Sequence, residues 1–376
     1  FLAEMEFRTL SKRIAVSLGV EAPVIPDTNP AGADPVEEAP EWPAIDPDAY
    51  EHVSTMEALN VWIDRICARG YVAVDTETTS LNEMQADLVG ISLSVDPGQA
   101  CYIPFTHRDG ASDDLFSTDA LAEGQLPPDD VLAALKPVLE DDAILKIGQN
   151  MKYDAKIFAR HDITVAPFDD TMLMSYALNA GIHGHGMDTL SERYLSHTPI
   201  PIKTLLGSGK SAITFDRVPV TEAVKYAAED ADITLRLWLT FKPQLHREKV
   251  TTVYETLERP LSPVLARMER NGIKVDRETL SRMSGKFAQK MAELEEEIHE
   301  LAGRKFNVGS PKQLGEILFD EMGLDGGKKG KTGAYATGAD VLEDLATEHD
   351  LPARVLDWRA LSKLKSTYTD ALQDHI

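Results

Sequence analysis

Asp75 and Glu77, in the stretch VAVDTETTSL (residues 72–81), are two carboxylates two positions apart at the end of an apolar run. On a strand such a pair leaves the same face of the sheet, and holding both close to buried surface requires a positive charge between them. Two further acids stand in comparable settings. Asp154 lies in GQNMKYD, just past another strand-like run, and Asp230 lies in YAAEDAD, inside a helical segment. Tyr226 precedes Asp230 by four residues, which puts phenol and carboxylate on one helical face, whereas Glu229 and Asp232 point elsewhere and are poorer candidates. Four carboxylates from different elements, with no histidine or cysteine cluster, suit hard cations such as Mg²⁺ or Mn²⁺. Two such ions about 4 Å apart clamp the attacking and leaving oxygens of a phosphodiester, and a tyrosine one turn before an acid can orient or deprotonate the attacking water. The set reads as a two-metal nuclease site, with Asp75, Glu77, Asp154 and Asp230 as ligands and Tyr226 at the water.

The elements that must position these groups are legible from residue 50 onward. Periodicity and turn signals predict a helix over about 55–69, a strand at 71–76, and two strands, LVGISLSV and ACYIPFTH, around the turn DPGQ. A helix capped by Asp129 and Asp130 then runs to about Leu139, followed by the strand AILKIGQN and a helix starting near Tyr153. Further helices are expected at 170–179, 187–195 and 221–242. Three meandering strands followed by helices alternating with strands describe an α/β domain with a mixed sheet. After residue 250 the pattern is helical. One helix ends at the stop signal Asn271-Gly272, and Leu280, Met283, Phe287, Met291, Leu294, Ile298 and Leu301 form an apolar stripe on the long helix that follows. GGKKGKTGAYATG is a loop.

Composition bounds the rest. With 376 residues and 43% hydrophobic content the chain is globular and long enough for two domains or one large one. Residues 21–49, rich in Pro, Ala and acids, read as a linker, preceded by one short helix. The first residue is not methionine, and the chain reads as a fragment. Two isolated cysteines, Cys67 and Cys101, exclude a disulfide framework and a thiolate metal site, which suits the cytoplasm; no run is long enough to span a membrane. A net charge of −24 does not exclude nucleic acid, because binding depends on local fields and a cation-loaded carboxylate site attracts phosphate.

At three motifs a family resemblance becomes explicit. VAVDTETTSL, GQNMKYDAKIF and YAAEDADITLRLW resemble the exonuclease motifs of the proofreading domain of the bacterial DNA polymerase I family, the family A polymerases. That domain is of the DEDD type with a ribonuclease H-like fold, and Tyr226, with Lys225 where another branch has histidine, makes this the tyrosine subtype. RPLSPVLARMERNGIKVD, FNVGSPKQLGEILFDEMGL and LSKLKSTYTDAL resemble the start of the polymerase domain, including its helical thumb, and FLAEMEFRTLSKRI resembles the last helix of an upstream 5′-nuclease domain. The sequence stops after DALQDHI, before any stretch resembling the family's palm and fingers. The expected division is a remnant plus linker at 1–49, a 3′-5′ exonuclease domain at 50–245, and the start of the polymerase domain at 246–376.

The resemblance implies roles residue by residue. Asp75 bridges two metal ions completed by Glu77, Asp154 and Asp230, and Tyr226 positions the nucleophilic water. Glu77 and the backbone near Thr78 contact the terminal 3′-hydroxyl, Leu81 wedges between the last two bases, and Asn150 and Tyr153 make further substrate contacts. In the thumb Lys328, Lys329 and Lys331, in the loop, and Lys363 and Lys365, near a helix start, contact the backbone of duplex DNA, with no obligate protein partner implied. Many relatives carry an arginine in the segment occupied here by GIHGHGMD, for which His183 or His185 is the available replacement. A ribonuclease D-like exoribonuclease shares the acids and tyrosine but ends in small RNA-binding domains. An inactive DNA-binding fragment would have lost a carboxylate, and all four are present.

Overall fold

The computed structural model describes residues 13–15, 17, 42–108, 120–330 and 333–375. Of the expected first helix only residues 13–15 and 17 are described, and they are helical; the linker up to residue 41 and Lys331 lie outside the described residues. The chain divides into two compact units, Phe1–Asn271 and Gly272–Ile376.

In chain order the first unit contains β1 (Glu51–His52), α1 (Met56–Arg69), β2 (Tyr71–Thr78), β3 (Leu88–Asp96), β4 (Gln99–Pro104), α2 (Pro128–Glu140), β5 (Leu145–Gly148), α3 (Met151–Arg160), β6 (Phe168–Asp170), α4 (Thr171–Asn179), α5 (Met187–Tyr194), α6 (Ile202–Leu206), α7 (Val220–Arg247) and α8 (Arg259–Asn271). The strands form one sheet of order β1-β4-β3-β2-β5-β6. β2, β3 and β4 are the antiparallel meander, and β1, β5 and β6 add in parallel, so the sheet is mixed as expected. Local chemistry sets the boundaries. The Thr55 hydroxyl caps α1 by accepting from the Ala58 amide at 3.2 Å, and Gly70, at φ +76°, ends it in the left-handed conformation that glycine adopts freely.

Alternation along β2 separates the two faces. Val72 and Val74 pack with Leu59, Trp62 and Ile66 of α1. Ala73 packs with Ile147 and with Leu235 of α7, so the face that carries Asp75 and Glu77 is the one α7 covers. Ala223, Ala227, Ala228 and Ala231 are fully buried on α7, and their small side chains let the helix lie close to the sheet.

Several boundaries differ from the expectation. Asp129 and Asp130 lie in the first turn of α2 rather than at its cap, which is Pro127 without a side-chain bond. α3 starts at Met151 because Asn150, at φ +64°, turns the chain into it. α7 runs through Pro243 to Arg247, since Leu245 packs with Tyr254 in a buried cluster and that burial outweighs the hydrogen bond the proline removes. Residues 247–271, expected to belong to the second part, pack within the first unit. The cause is Asp169, whose carboxylate accepts from Trp238 Nε1 (2.8 Å), Lys242 Nζ (2.9 Å), Tyr254 OH (3.0 Å) and Arg259 (3.0 Å).

The second unit consists of α9 (Arg277–Ala302), α10 (Pro311–Gly315), α11 (Ala339–Ala346) and α12 (Asp350–Lys363), with short π-helical turns after α10 and α12. Its core joins Ile298, Leu314, Leu318, Leu342, Leu351 and Val355. The stripe on α9 is buried only at Leu294 and Ile298, while Met283 and Leu301 are exposed. A 26-residue helix is about 39 Å long and outruns so small a core. Lys363 is the last residue of α12 rather than near a helix start, and Lys365 pairs with Asp370 at 2.6 Å. Lys328 is exposed, and Lys329 Nζ lies 4.4 Å from the Tyr335 ring centre. Among the described residues no helix is long and apolar enough to cross a membrane. Cys67 and Cys101 are both free.

Candidate active site

The pairing of β2 with β3 is regular through Asp75, opposite Ser92, and Glu77, opposite Gly90, and shifts between Glu77 and Thr78. Such a bulge bends the strand and re-aims the side chains beside it. Across from the two acids, α7 presents Asp230 and, one turn earlier, Tyr226. One carboxylate oxygen from each of Asp75, Glu77 and Asp230 lies within 4.8 Å of the others. Glu77 and Asp230 are buried, and Asp75 is partly open to a cleft of about 460 Å³.

Asp154 arrives from α3 and stands beside this triad rather than in it. Its Oδ1 accepts from the Thr76 amide (3.1 Å) and the Thr76 hydroxyl (2.5 Å), and it is 2% exposed. Thr76 has no ionisable group and lies between the two acids of the motif, which gave sequence reasoning no reason to single it out.

What acts on these carboxylates is burial and one another. Burial, then the charge of Asp230, pushes Asp75 up to about 8. Burial, then Asp75, Asp230 and Asp154, holds Glu77 well above its usual range. Burial also raises Asp154 and Asp230, against hydrogen bonds from Thr76 and Tyr226 respectively. The Tyr226 phenol is raised by burial and then by Asp230, Glu77 and Asp75, and its hydroxyl donates a hydrogen bond to the Asp230 carboxylate. Glu77 Oε1 is buried without a hydrogen-bond partner. Converging carboxylates with an orphaned oxygen, all driven toward the neutral form, are a donor set for a hard divalent cation, whose charge reverses every one of these shifts.

The cleft gathers the other expected residues. Thr78, Leu81, Asn150 and Tyr153 line it together with the four acids and Tyr226. The Tyr153 hydroxyl donates to the Ser80 carbonyl at 2.6 Å and lies 2.5 Å from the Thr78 hydroxyl, which itself donates to Ser80 at 3.1 Å. Ile202, Leu206, Ile213 and Phe215 form an apolar wall from a segment whose sequence shows no regular period. Glu229 and Asp232 are indeed engaged elsewhere. Glu229 binds His197 Nε2 (2.8 Å) and the Ile200 amide (2.7 Å), and Asp232 binds Tyr50 OH (2.8 Å), the Gly98 amide (2.9 Å) and Arg236 (3.0 Å). His183 and His185 also have partners, Tyr194 OH at 3.1 Å and the Ser175 hydroxyl at 2.9 Å.

A mixed α/β domain that converges carboxylates from a central strand and a covering helix on one cleft defines a class of metal-dependent nucleases, and comparison with known proteins agrees. A family model described as 3′-5′ exonuclease matches residues 50–246, and one described as DNA polymerase family A matches residues 277–376. The chain belongs to the 3′-5′ exonuclease family of family A DNA polymerases. It is 54% identical over 342 residues to DNA polymerase I of Rhizobium leguminosarum, covering 88% of this chain and 34% of the relative, and 41% identical over 332 residues to DNA polymerase I of Pseudomonas aeruginosa, covering 87% and 35%. A solved structure, the POL domain of Pol1 from M. smegmatis in complex with DNA primer-template and dNTP, superimposes with a TM-score of 0.67 at 26% identity, covering 86% of this chain and 50% of that one. The chain thus spans about a third of the length of the curated relatives it matches.

Proposed function

We propose that the chain hydrolyses the last phosphodiester of a single-stranded DNA 3′ end, releasing nucleoside 5′-monophosphates, as the editing part of a DNA-directed DNA polymerase acting in the cytoplasm. The observation that carries this reading is the triad Asp75, Glu77 and Asp230 with Asp154 beside it, on a cleft that also contains Tyr226 and Leu81. Asp75, Glu77 and Asp230 would hold two divalent cations, Mg²⁺ or Mn²⁺, with Asp154 completing the set. When bound, such ions polarise the phosphodiester and make a hydroxide nucleophile available near neutral pH.

The chain's own residues supply position. Tyr226 spends its proton on Asp230, so its oxygen lone pairs are free to accept a hydrogen bond from the attacking water. Asp154, pinned by Thr76, keeps its second oxygen for the site. Leu81, exposed on the cleft, enters between the last two bases, and the apolar wall around Phe215 receives a base without reading its edge. Selectivity for mismatched ends then comes from their easier fraying rather than from base contacts. In the second unit Lys328, Lys329, Lys331 and Lys363 would meet duplex phosphates in a sequence-independent, salt-sensitive manner; Lys365 is the weakest of the five because Asp370 already neutralises it.

The test is release of mononucleotides from a 3′-labelled single strand with Mg²⁺, run in parallel on DNA and RNA. Release from DNA that disappears in the Asp75→Ala/Glu77→Ala double variant supports the reading. Absence of release, survival of release in that variant, or preference for RNA overturns it.

A further inference from the structure

Lys156, in the second turn of α3, has a side chain only 4% exposed. An ammonium so withdrawn from water requires carboxylates in contact with it. It has two, from elements far apart in sequence. Its Nζ pairs with Glu83, in the loop that joins β2 to β3, and with Glu269 of α8 at 2.5 Å. Glu269 is in turn held by Lys152 at 2.6 Å.

The same loop is fastened to α3 on either side of this pair. Tyr153 OH donates to the Ser80 carbonyl at 2.6 Å, and Arg160 donates to the carbonyls of Glu83, at 3.2 Å, and Ala86. Within the fastened stretch Leu81 stands 93% exposed, more than any other large apolar side chain there, and on the wall of the cleft. An apolar side chain so exposed gains nothing for the fold, yet the loop beneath it is bound by an ion-pair network inside the protein. A tip that must act on a ligand at a set height needs this kind of rigid footing.

We propose that Lys156 is a positioning residue for the reaction: by tying Glu83 to Glu269 it fixes the loop after β2 so that Leu81 stands where it separates the last two bases of the substrate strand. The inference rests on the exonuclease reading above. A purely structural lysine would make the same contacts but would leave the geometry of the bound end untouched when replaced.

The test uses the whole chain and a single strand with 2-aminopurine as its 3′-terminal base, whose fluorescence rises when it unstacks, with Ca²⁺ in place of Mg²⁺ so that binding is read without hydrolysis. Lys156→Met keeps the apolar stem, and Glu83 and Glu269, both partly exposed, can rehydrate, so the fold is retained. Because a misplacement of about 1 Å at a reacting centre can cost roughly 100-fold, the variant is expected to lose at least about tenfold in kcat and most of the fluorescence rise. Mn²⁺ affinity by calorimetry stays within about twofold, and Lys156→Arg restores most of both signals. Lys156→Met combined with Leu81→Ala should lose no more fluorescence than Leu81→Ala alone, as residues acting through one another do. Fluorescence within about twofold of wild type, or losses that add in the double variant, overturns the proposal. Should Lys156→Met not fold, Glu83→Gln carries the same readings. The fluorescence arm does not depend on turnover, so the two failures are distinguishable: a wild-type chain that unstacks the end without cleaving it overturns the exonuclease reading, whereas a cleaving wild type whose fluorescence rise survives in Lys156→Met overturns the positioning role alone.

Discussion

Asp170, the last residue of β6, accepts from the backbone N–H of Met151, the first residue of α3, at 2.9 Å. The same carboxylate accepts from the amides of Asn150 (3.2 Å), Met172 (2.9 Å) and Leu173 (3.3 Å). One buried side chain therefore caps α4 and satisfies the start of α3, where Asn150 is left-handed and offers no side-chain cap. Asn150, Tyr153 and Asp154 all take their placement from that start.

Replacing Asp170 by Ala strands several buried amides and should lower the unfolding free energy by about 2–4 kcal/mol, the sum of a lost cap and an unpaired buried donor. Asp170→Asn retains an acceptor and should cost less. Urea unfolding measures both. Exonuclease turnover should fall with Asp170→Ala even where the protein is still folded, and a stability loss under about 1 kcal/mol would show that α3 is seated by other contacts.

A second expectation concerns pH and metal. Asp75, raised by burial and by Asp230, titrates near 8 in the fold and near 4 in an unfolded chain. Glu77, Asp154 and Asp230 are raised in the same direction. The folded state thus binds more protons than the unfolded one between these values, and the stability they contribute, complete below about pH 4, is lost as pH rises toward 8. In EDTA the melting temperature should decline across that window. Saturating Mn²⁺ should remove the decline, because a cation favours the charged carboxylates and binds only the folded site. Asp75→Asn in EDTA at pH 8 should melt higher than wild type; an equal or lower value would mean the carboxylates do not repel as placed.

The fold and the site were legible in the sequence to different depths. The apolar run ending in VAVD and the periodicity in YAAEDADITLRLW located β2 and the core of α7, because burial leaves a pattern of apolar residues that the sequence reports. The three carboxylates of the triad followed from the same pattern. Thr76, Lys156 and the hold of Asp170 on the start of α3 did not, since each works through a partner at least 19 positions away in sequence. The short strands β1 and β6 were missed for a similar reason: with two and three residues they have no period, and only the sheet they join makes them strands. The stripe on α9 was legible as a stripe, but how much of it is covered depends on the size of the core it meets.

Tyr226→Phe isolates the hydroxyl from the ring. The ring stays against Phe215, at a centroid distance of 5.9 Å, so the fold should be unaffected within about 0.5 kcal/mol. The water loses its acceptor and Asp230 loses a hydrogen-bond donor. Single-turnover cleavage should slow about 100-fold or more, the usual worth of a positioned proton-handling group, with KM unchanged within a few-fold. A large rise in KM with kcat preserved would instead assign Tyr226 to strand binding.

Gly90 lies opposite Glu77 in the β2–β3 ladder, and a Cβ added there would stand 2.2 Å from the Tyr102 hydroxyl oxygen and 2.3 Å from its Cζ. Tyr102 cannot swing aside. It is fully buried, and its hydroxyl donates to His107 Nε2 at 2.9 Å, while His107 Nδ1 donates to the Val218 carbonyl at 2.9 Å. Gly90→Ala must therefore displace β3, and overpacking of this kind costs about 1–3 kcal/mol. Since β3 carries the residues facing Asp75 and Glu77, Mn²⁺ affinity should fall as well, which a core substitution remote from the site would not cause. Tyr102→Phe should rescue little, because the ring carbon still collides, whereas Tyr102→Leu in the Gly90→Ala background should recover part of both losses. Calorimetric titration of the three variants reads the outcome, and full metal affinity in Gly90→Ala would show that Glu77 does not depend on the strand beside it.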